Sequence, residues 1–213
     1  MLITSYNNTA LDDTLIAVMA QDTPDQTAQQ SGDITAIING DDQVIGYNFF
    51  RVSQWLGDLN VSGGIQLNAN QVATLNHAIE EAGLPGQMTV DDTPKFVIGK
   101  IVSFDAHPDS DHLHVAKVDV GSETLQIVVG APNADLGQTV VVALPGAMMP
   151  DGKIIWPGAL RGVPSSGMMA SARELQLKGA PQRRGILLMP DTFKPGEPFD
   201  FAKGEAVVAA QEA

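Results

Sequence analysis

The 213-residue sequence has no cysteine, few aromatic residues and few basic residues. The absence of cysteine excludes disulfide bonds, thiolate catalysis and cysteine-ligated zinc. No apolar run reaches the roughly 18 residues that a membrane-spanning helix needs. The N-terminus lacks the basic region of a secretory signal and carries Asp12 and Asp13 instead. We therefore expect a cytoplasmic protein without a membrane anchor.

Basic residues are scarce and unevenly distributed. The formal net charge is −13, from 12 lysines and arginines against 25 aspartates and glutamates. Residues 1–93 hold 12 acidic residues and one basic residue, Arg51, whereas residues 94–202 hold 10 basic and 11 acidic residues. The overall charge argues against general nucleic-acid affinity, because phosphate neutralisation requires lysine and arginine. The asymmetry predicts two units with different roles.

The first part of the chain predicts a small, acidic α+β domain over residues 1–90. Two apolar, strand-like runs precede a polar stretch at 21–33, which predicts a loop. Residues 34–50 predict a hairpin, because "NGD" supplies a turn between two apolar runs. A helical pattern then begins after a cap at Asn70 and ends at Gly83.

Residues 91–202 predict a nearly all-β domain, followed by a flexible tail at 203–213. Short apolar or alternating runs are separated by turns rich in glycine and proline, which favours a small closed barrel or a sandwich. The whole chain is therefore predicted to be mainly β with a small α+β part. The runs cover residues 95–104, 112–121, 124–130, 139–146, 153–160, 167–171 and 185–190.

The segment "HPDSDHLH" at 107–114 gathers imidazoles and carboxylates within eight positions. Such side chains could bind a divalent metal ion. The alternative is a β-turn in which the aspartates bond their own backbone amides. The spacing is not helical and Pro108 forces a turn, so the turn is favoured and no metal or cofactor is predicted.

No catalytic set is evident. "GAPNADLGQ" at 130–138 lacks the Lys-Ser/Thr of a phosphate-binding loop, and no histidine follows His114 to activate a serine. Asn133 in that segment either caps a helical turn or presents its amide to a base edge or ribose. The sequence therefore predicts a protein that is not an enzyme.

The segment "LRGVPSSGMMASAREL" at 160–175 mixes arginine, serine and methionine. Arginine can fork onto a phosphate, serine can donate to it, and methionine can pack on a base or fill a core. On a strand, Met168 and Met169 would point to opposite faces, so one faces the core and the other a partner or a covering loop. The nearby Lys178, Arg183 and Arg184 form either a solvated turn or a local basic face.

Three blocks of the second part occur in a fixed order: "HPDSDHLHVAKVDVG", "IVVGAPNADLGQTVVVALPGA" and "LRGVPSSGMMASAREL". Together they resemble the tRNA-binding OB domain of the bacterial phenylalanyl-tRNA synthetase β chain, of some methionyl-tRNA synthetases and of endothelial-monocyte-activating polypeptide II. The resemblance runs from about Lys95 to about Asp191. With "SYN", "DTLIAVM" and "VIGYNFF" in the first part, the whole chain is similar to the YtpR-type proteins, which place a small N-terminal domain before this module.

The resemblance implies a five-stranded OB-fold barrel that binds tRNA by shape and performs no chemistry. It also implies an interface in which Lys117 and Arg161 bind phosphates and Met168 offers an apolar platform. Three polar side chains would bind riboses or phosphates: Asn133, Ser165 and Ser171. Relatives of this module often pair, so a homodimer is one implied assembly.

Two interpretations stay open. The first is a non-catalytic tRNA-binding protein, which the motif blocks favour. The second is a protein-interaction module whose OB fold has weak or no RNA affinity, which the net charge favours. A hydrolase or small-ligand barrel is disfavoured by the missing catalytic set. The acidic first domain either provides solubility, repels RNA from the wrong side, or binds a basic protein partner.

Overall fold

The computed structural model describes residues 1–211 and shows a mainly β protein. The chain divides into two compact units, Met1–Thr93 and Pro94–Ala213. Each unit has its own antiparallel sheet and its own buried residues. Within residues 1–211, no helix is both long and apolar enough to span a membrane.

The first unit consists of a six-stranded sheet, in the order β3-β4-β5-β2-β1-β6, and one long helix. Leu15, Tyr47 and Phe49 from the strands pack with Leu75 from the helix, and all four are fully buried. The elements are β1 (Ile3–Asn7), α1 (Asn8–Leu11), β2 (Thr14–Val18), β3 (Thr27–Ser31), β4 (Ile34–Ile38), β5 (Val44–Phe50), α2 (Ser53–Leu56), β6 (Ser62–Ile65) and α3 (Ala69–Glu81).

The predicted hairpin is confirmed as β4 and β5, and the side chain of Asn39 accepts hydrogen bonds from the backbone of Asp41 and Gln43 in its turn. The expectation that residues 21–33 are all loop is wrong, because β3 lies inside that range and pairs with β4. The strand "TAQQS" has no apolar alternation because it lies at the sheet edge and most of it is exposed.

Helix α3 begins two residues earlier than predicted. The cap is Asn68, whose side chain accepts from Gln71 N at 3.0 Å, while Gln71 Oε1 accepts from Asn68 N at 3.0 Å. This reciprocal pair is a capping box, and it satisfies two amides of the first turn. Asn70 lies inside the helix, so its predicted role as the cap is wrong.

The second unit contains a sheet in the order β13-β10-β7-β8-β9, and β14 also pairs with β10. Strand β8 alternates as predicted, with Ala116 and Val118 buried and Lys117 exposed. The elements are β7 (Phe96–Ala106), β8 (His114–Asp119), β9 (Thr124–Val129), β10 (Thr139–Ala143), β11 (Gly158–Leu160), β12 (Val163–Ser165), β13 (Met168–Met169), β14 (Leu188–Met189) and α4 (Phe201–Gln211).

The sheet of the second unit is open, so the closed five-stranded barrel is not confirmed. Strand β9 and the segment from β12 to β13 are joined by isolated hydrogen bonds instead of a ladder. These run from Ser166 N to Gln126 O at 2.8 Å, from Val128 N to Ser165 Oγ at 3.0 Å and from Gln126 Nε2 to Pro164 O at 2.7 Å. A continuous ladder is interrupted there because Pro164 has no N–H group.

The expectation of a flexible tail at 203–213 is wrong for the part that the structure describes. Residues 203–211 belong to α4, which buries Gly204 and Val208. A Cβ at Gly204 would lie 2.4 Å from Phe199 Cζ, so only glycine allows this close packing. Gln211 Nε2 also donates to Leu188 O at 2.8 Å. Residues 212–213 lie outside the described residues.

Candidate nucleic-acid interface

Arg161 lies at the tip of a two-residue hairpin turn between β11 and β12. Leu160 pairs with Val163, and Arg161 and Gly162 have φ angles of 45° and 80°. Positive φ at both central positions identifies a type I′ turn, which matches the twist of a hairpin but is strained for arginine. The guanidinium is exposed, and its Nη1 donates to Asp109 O at 2.9 Å.

The segment at 107–112 is a turn that joins this hairpin, as the sequence favoured. His107 is buried; its Nδ1 accepts from Asp109 N at 3.0 Å, so its Nε2 carries the hydrogen and donates to Leu160 O at 3.1 Å. His112 is exposed and bonds the carboxylate of Asp111, which lowers the pKa of that carboxyl. Within residues 1–211, no three histidines, aspartates or glutamates are grouped to hold a metal ion.

The side chain of Gln126 links Lys117 to the residue that precedes Ser165. Lys117 Nζ donates to Gln126 Oε1 at 2.9 Å, and Gln126 Nε2 donates to Pro164 O at 2.7 Å. Ser165 is buried, and its hydroxyl oxygen accepts from Val128 N. The serine therefore fastens β12 to β9, whereas the lysine is exposed on the outer face of β8.

Asn133 acts as a clamp on the backbone of Ile186 and caps no helix. Its Nδ2 donates to Ile186 O and its Oδ1 accepts from Ile186 N, both at 2.9 Å. The neighbouring Gly185 has a φ of 149°, and a Cβ there would lie 2.7 Å from Asn133 Oδ1. The clamp fixes the loop that carries Arg183 and Arg184.

Ser171 caps the turn that follows β13. Its N and Oγ both donate to Glu174 Oε2, at 2.9 and 2.6 Å, and its Oγ accepts from Glu174 N at 3.1 Å. The two methionines before it point to opposite faces as predicted, with Met169 buried and Met168 half-buried.

A groove of about 340 Å³ connects several of these features. Arg184 from the clamped loop and Arg173 from the capped turn both line it, and both are exposed. A second cavity also has Ser171, Arg173 and Arg184 in its lining, so the two are adjacent. The groove is lined by His112, Leu113, Val128, Val129, Gly130, Ala131, Pro132, Met168, Met169, Ser171, Arg173, Glu174, Arg184, Gly185 and Ile186.

The structure gathers only part of the predicted interface at this groove. Met168 and Ser171 line it, and Asn133 lines the adjacent cavity. Lys117, Arg161 and Ser165 lie outside both linings. Arg173 was missed by the sequence reasoning, although its position inside the Ser-x-x-Glu cap was a usable signal, because such a cap fixes the direction of the residues between its ends.

Two families match the chain. A family described as "Putative tRNA binding domain" matches residues 96–198, and a domain of unknown function matches residues 21–91. The first match covers the sheet of the second unit, the turn at 107–112, the hairpin and the groove. The second covers most of the first unit.

The chain is also similar to individual proteins. The "Putative tRNA-binding protein YtpR" of Bacillus subtilis is 42% identical over 92% of this chain and 98% of its own. The phenylalanine–tRNA ligase β subunit of Lactiplantibacillus plantarum is 47% identical over 49% of this chain, which spans 14% of the subunit. The structure of a MetRS-related protein from Pyrococcus horikoshii covers 53% of the chain at 17% identity, with a TM-score of 0.37. With such similarity to the Bacillus protein along nearly the whole of both chains, this chain belongs to the YtpR family.

Proposed function

We propose that the chain is a non-catalytic tRNA-binding protein whose second unit recognises folded RNA through an OB-type domain. The observation that carries the proposal is the match of residues 96–198 to the tRNA-binding family, together with 42% identity to a protein named as a tRNA binder over 92% of the chain. Recognition by shape, phosphates and 2′-hydroxyl groups needs no catalytic side chains.

The charges of the second unit support this proposal in spite of the net charge of −13. Among the described residues, no carboxylate forms a salt bridge with Arg161, Arg173 or Arg184. Lys117 bonds a neutral glutamine. In contrast, Lys100 pairs with Asp191 at 2.7 Å and its hydrogen bond lowers the pKa of that carboxyl. The cations near the hairpin and the groove are therefore available for phosphates, which bind guanidinium groups well.

Of the six predicted residues, we assign three to direct RNA contact and three to shaping the surface. Exposed Lys117 and Arg161 meet phosphates, and Met168 offers an apolar platform. The remaining three shape the surface, because their polar atoms are bonded within the protein. These three are Asn133, Ser165 and Ser171. Since tRNA is used in translation, the proposal also places the protein in the cytoplasm.

The assembly is a further part of the proposal. A homodimer would present two such surfaces to one RNA and raise the avidity without new contacts. The first unit, with 12 acidic residues and one basic residue over 1–93, would face a basic protein partner more favourably than RNA. This charge also supports the alternative function, a protein-interaction module with weak RNA affinity.

Binding of folded tRNA, single-stranded RNA and plain duplex RNA at low and near-physiological salt tests the proposal. We expect a preference for tRNA and a slope of log affinity against log salt of about −3 to −4, as four phosphate contacts produce. Arg161→Ala should weaken binding several-fold, whereas Lys153→Ala, an exposed cation in another turn, should not.

Ser165→Ala tests whether Ser165 shapes the surface or contacts RNA. Loss of the serine hydroxyl leaves Val128 N without its acceptor, so we expect a lower unfolding midpoint and a smaller effect on tRNA affinity than that of Arg161→Ala. Equal binding of tRNA and plain duplex would overturn the tRNA-binding proposal and favour the protein-interaction module. An Arg161→Ala variant that binds like Lys153→Ala would remove only Arg161 from the phosphate contacts.

A further inference from the structure

We propose that the groove between Arg173 and Arg184 holds the phosphodiester backbone of the bound RNA, and that Asn133 positions Arg184 for this contact. The inference rests on the proposed function and deepens it. It moves the main phosphate contact away from the hairpin tip at Arg161 to a groove whose two arginines come from separate segments.

One wall of the groove is a loop that is held at two neighbouring positions. Asn133 bonds both the N and the O of Ile186 at 2.9 Å, as a paired strand would. Gly185 brings the backbone so close that a Cβ would lie 2.7 Å from Asn133 Oδ1. Arg184 directly precedes Gly185, so the clamp fixes the backbone position from which its side chain extends to the groove.

The other wall is the capped turn after β13. Ser171 and Glu174 exchange three hydrogen bonds, and Arg173 lies between them. Glu174 is the one acid among the described lining residues, and its Oε2 already accepts two of these bonds. With two arginines against one engaged carboxylate, the groove favours an anion.

The floor between the two walls is apolar. Met168, Ala131 and Pro132 line the groove, and Ile186 is buried beneath it. A sugar–phosphate chain combines an apolar ribose face with a charged phosphate, so it suits a floor of this kind between two guanidinium forks. The volume of about 340 Å³ is that of a small segment and not of a helix.

Single alanine variants of the two arginines test the phosphate contact. Arg173→Ala and Arg184→Ala should each lower tRNA affinity about tenfold and reduce the salt slope by about one. Arg184→Lys keeps the charge but loses the planar guanidinium fork. It should therefore keep most of the salt slope and bind tRNA more tightly than Arg184→Ala but less tightly than the unchanged protein. The control is Lys153→Ala, which removes an exposed cation outside the groove.

A double-mutant cycle tests the positioning role of Asn133. Asn133→Ala should reduce both the tRNA affinity and the salt slope in the otherwise unchanged protein. In the Arg184→Ala background it should lower the unfolding midpoint as before but have little further effect on affinity. A residue that only stabilised the fold would lower the midpoint without this dependence on Arg184.

The outcomes separate this inference from the proposed function. If the unchanged protein does not prefer tRNA, the proposed function itself fails. If it prefers tRNA but Arg173→Ala and Arg184→Ala bind like Lys153→Ala, the groove is not the phosphate site and the inference alone is wrong. Because both arginines are exposed and unbonded to described side chains, these two variants should fold normally even if Asn133→Ala does not.

Discussion

Arg161 combines an unfavourable backbone with an exposed charge, which is a pattern expected of a functional residue. Its φ of 45° is a conformation that asparagine adopts more readily than arginine, and Asn-Gly is the preferred pair in a type I′ turn. We therefore predict that Arg161→Asn raises the free energy of unfolding by about 0.5–1 kcal/mol and lowers tRNA affinity. Urea unfolding and RNA titration measure the two effects.

The matched variant is Arg161→Ala, which removes the same charge and the hydrogen bond to Asp109 O but leaves a strained side chain in the turn. It should bind tRNA as weakly as Arg161→Asn and be less stable. Equal stability of the two variants would show that the turn does not favour asparagine over other side chains, and the link between strain and function would be lost.

The structure adds to the predicted site the hydrogen bonds that three of its side chains make within the protein. The sequence shows that Asn133, Ser165 and Ser171 are polar, and the resemblance implies contact with RNA. Their partners are Ile186, Val128 and Glu174, and the first two of these are distant along the chain. Such long-range hydrogen bonds leave no local pattern, so only the three-dimensional structure distinguishes a clamp from a contact residue.

At the level of elements, the sequence predicted strands with buried faces and missed those without. The hairpin β4–β5 and strands β7, β8, β9 and β10 carry strong apolar patterns, and all are present. Edge strand β3 is polar and is defined only by its backbone pairing. Residues 203–213 were predicted as a flexible tail, whereas the described part belongs to α4, in which Gly204 allows close packing on Phe199.

Asp13 joins β2 to helix α2 through its carboxylate. It accepts from Ser53 N at 3.1 Å, from Ser53 Oγ at 2.6 Å and from Tyr6 OH at 3.1 Å. Burial raises the pKa of Asp13, but these hydrogen bonds outweigh it and leave the pKa below its usual value. The carboxylate thus supplies the cap that Val52 at the start of α2 cannot.

We predict that Asp13→Asn lowers the free energy of unfolding of the first unit by about 1–3 kcal/mol at pH 7. A lowered pKa stabilises the fold above the unfolded-state pKa of about 4, and this contribution disappears as the pH falls through the folded-state value. The difference between the two proteins should therefore shrink below about pH 4. Trp55 fluorescence in a Trp156→Phe background measures it, and exposed Asp22→Asn is the control. A difference that persists in acid would exclude the charged form as its source.

For the whole molecule, the division of charge coincides with a division of the core. The buried cluster around Leu75 contains only residues of the first unit, and the clusters around Ile98 and Ile127 contain only residues of the second. The groove and the hairpin lie in the second unit alone. A separate core allows the near-neutral second unit to fold independently of the acidic first unit.

The two tryptophans make this independence measurable, because Trp55 belongs to the first unit and Trp156 to the second. Leu75 is fully buried in α3, so Leu75→Ala should cost the first unit about 2–5 kcal/mol. We predict that it shifts urea unfolding followed by Trp55 and leaves unfolding followed by Trp156, and tRNA affinity, unchanged.

Ile127→Ala in β9 should do the reverse, shifting the Trp156 transition and leaving that of Trp55 in place. Single-tryptophan backgrounds, Trp156→Phe and Trp55→Phe, keep the two signals separate. If both tryptophans respond to each core substitution, the units unfold together, and the acidic unit supports the RNA surface rather than merely accompanying it.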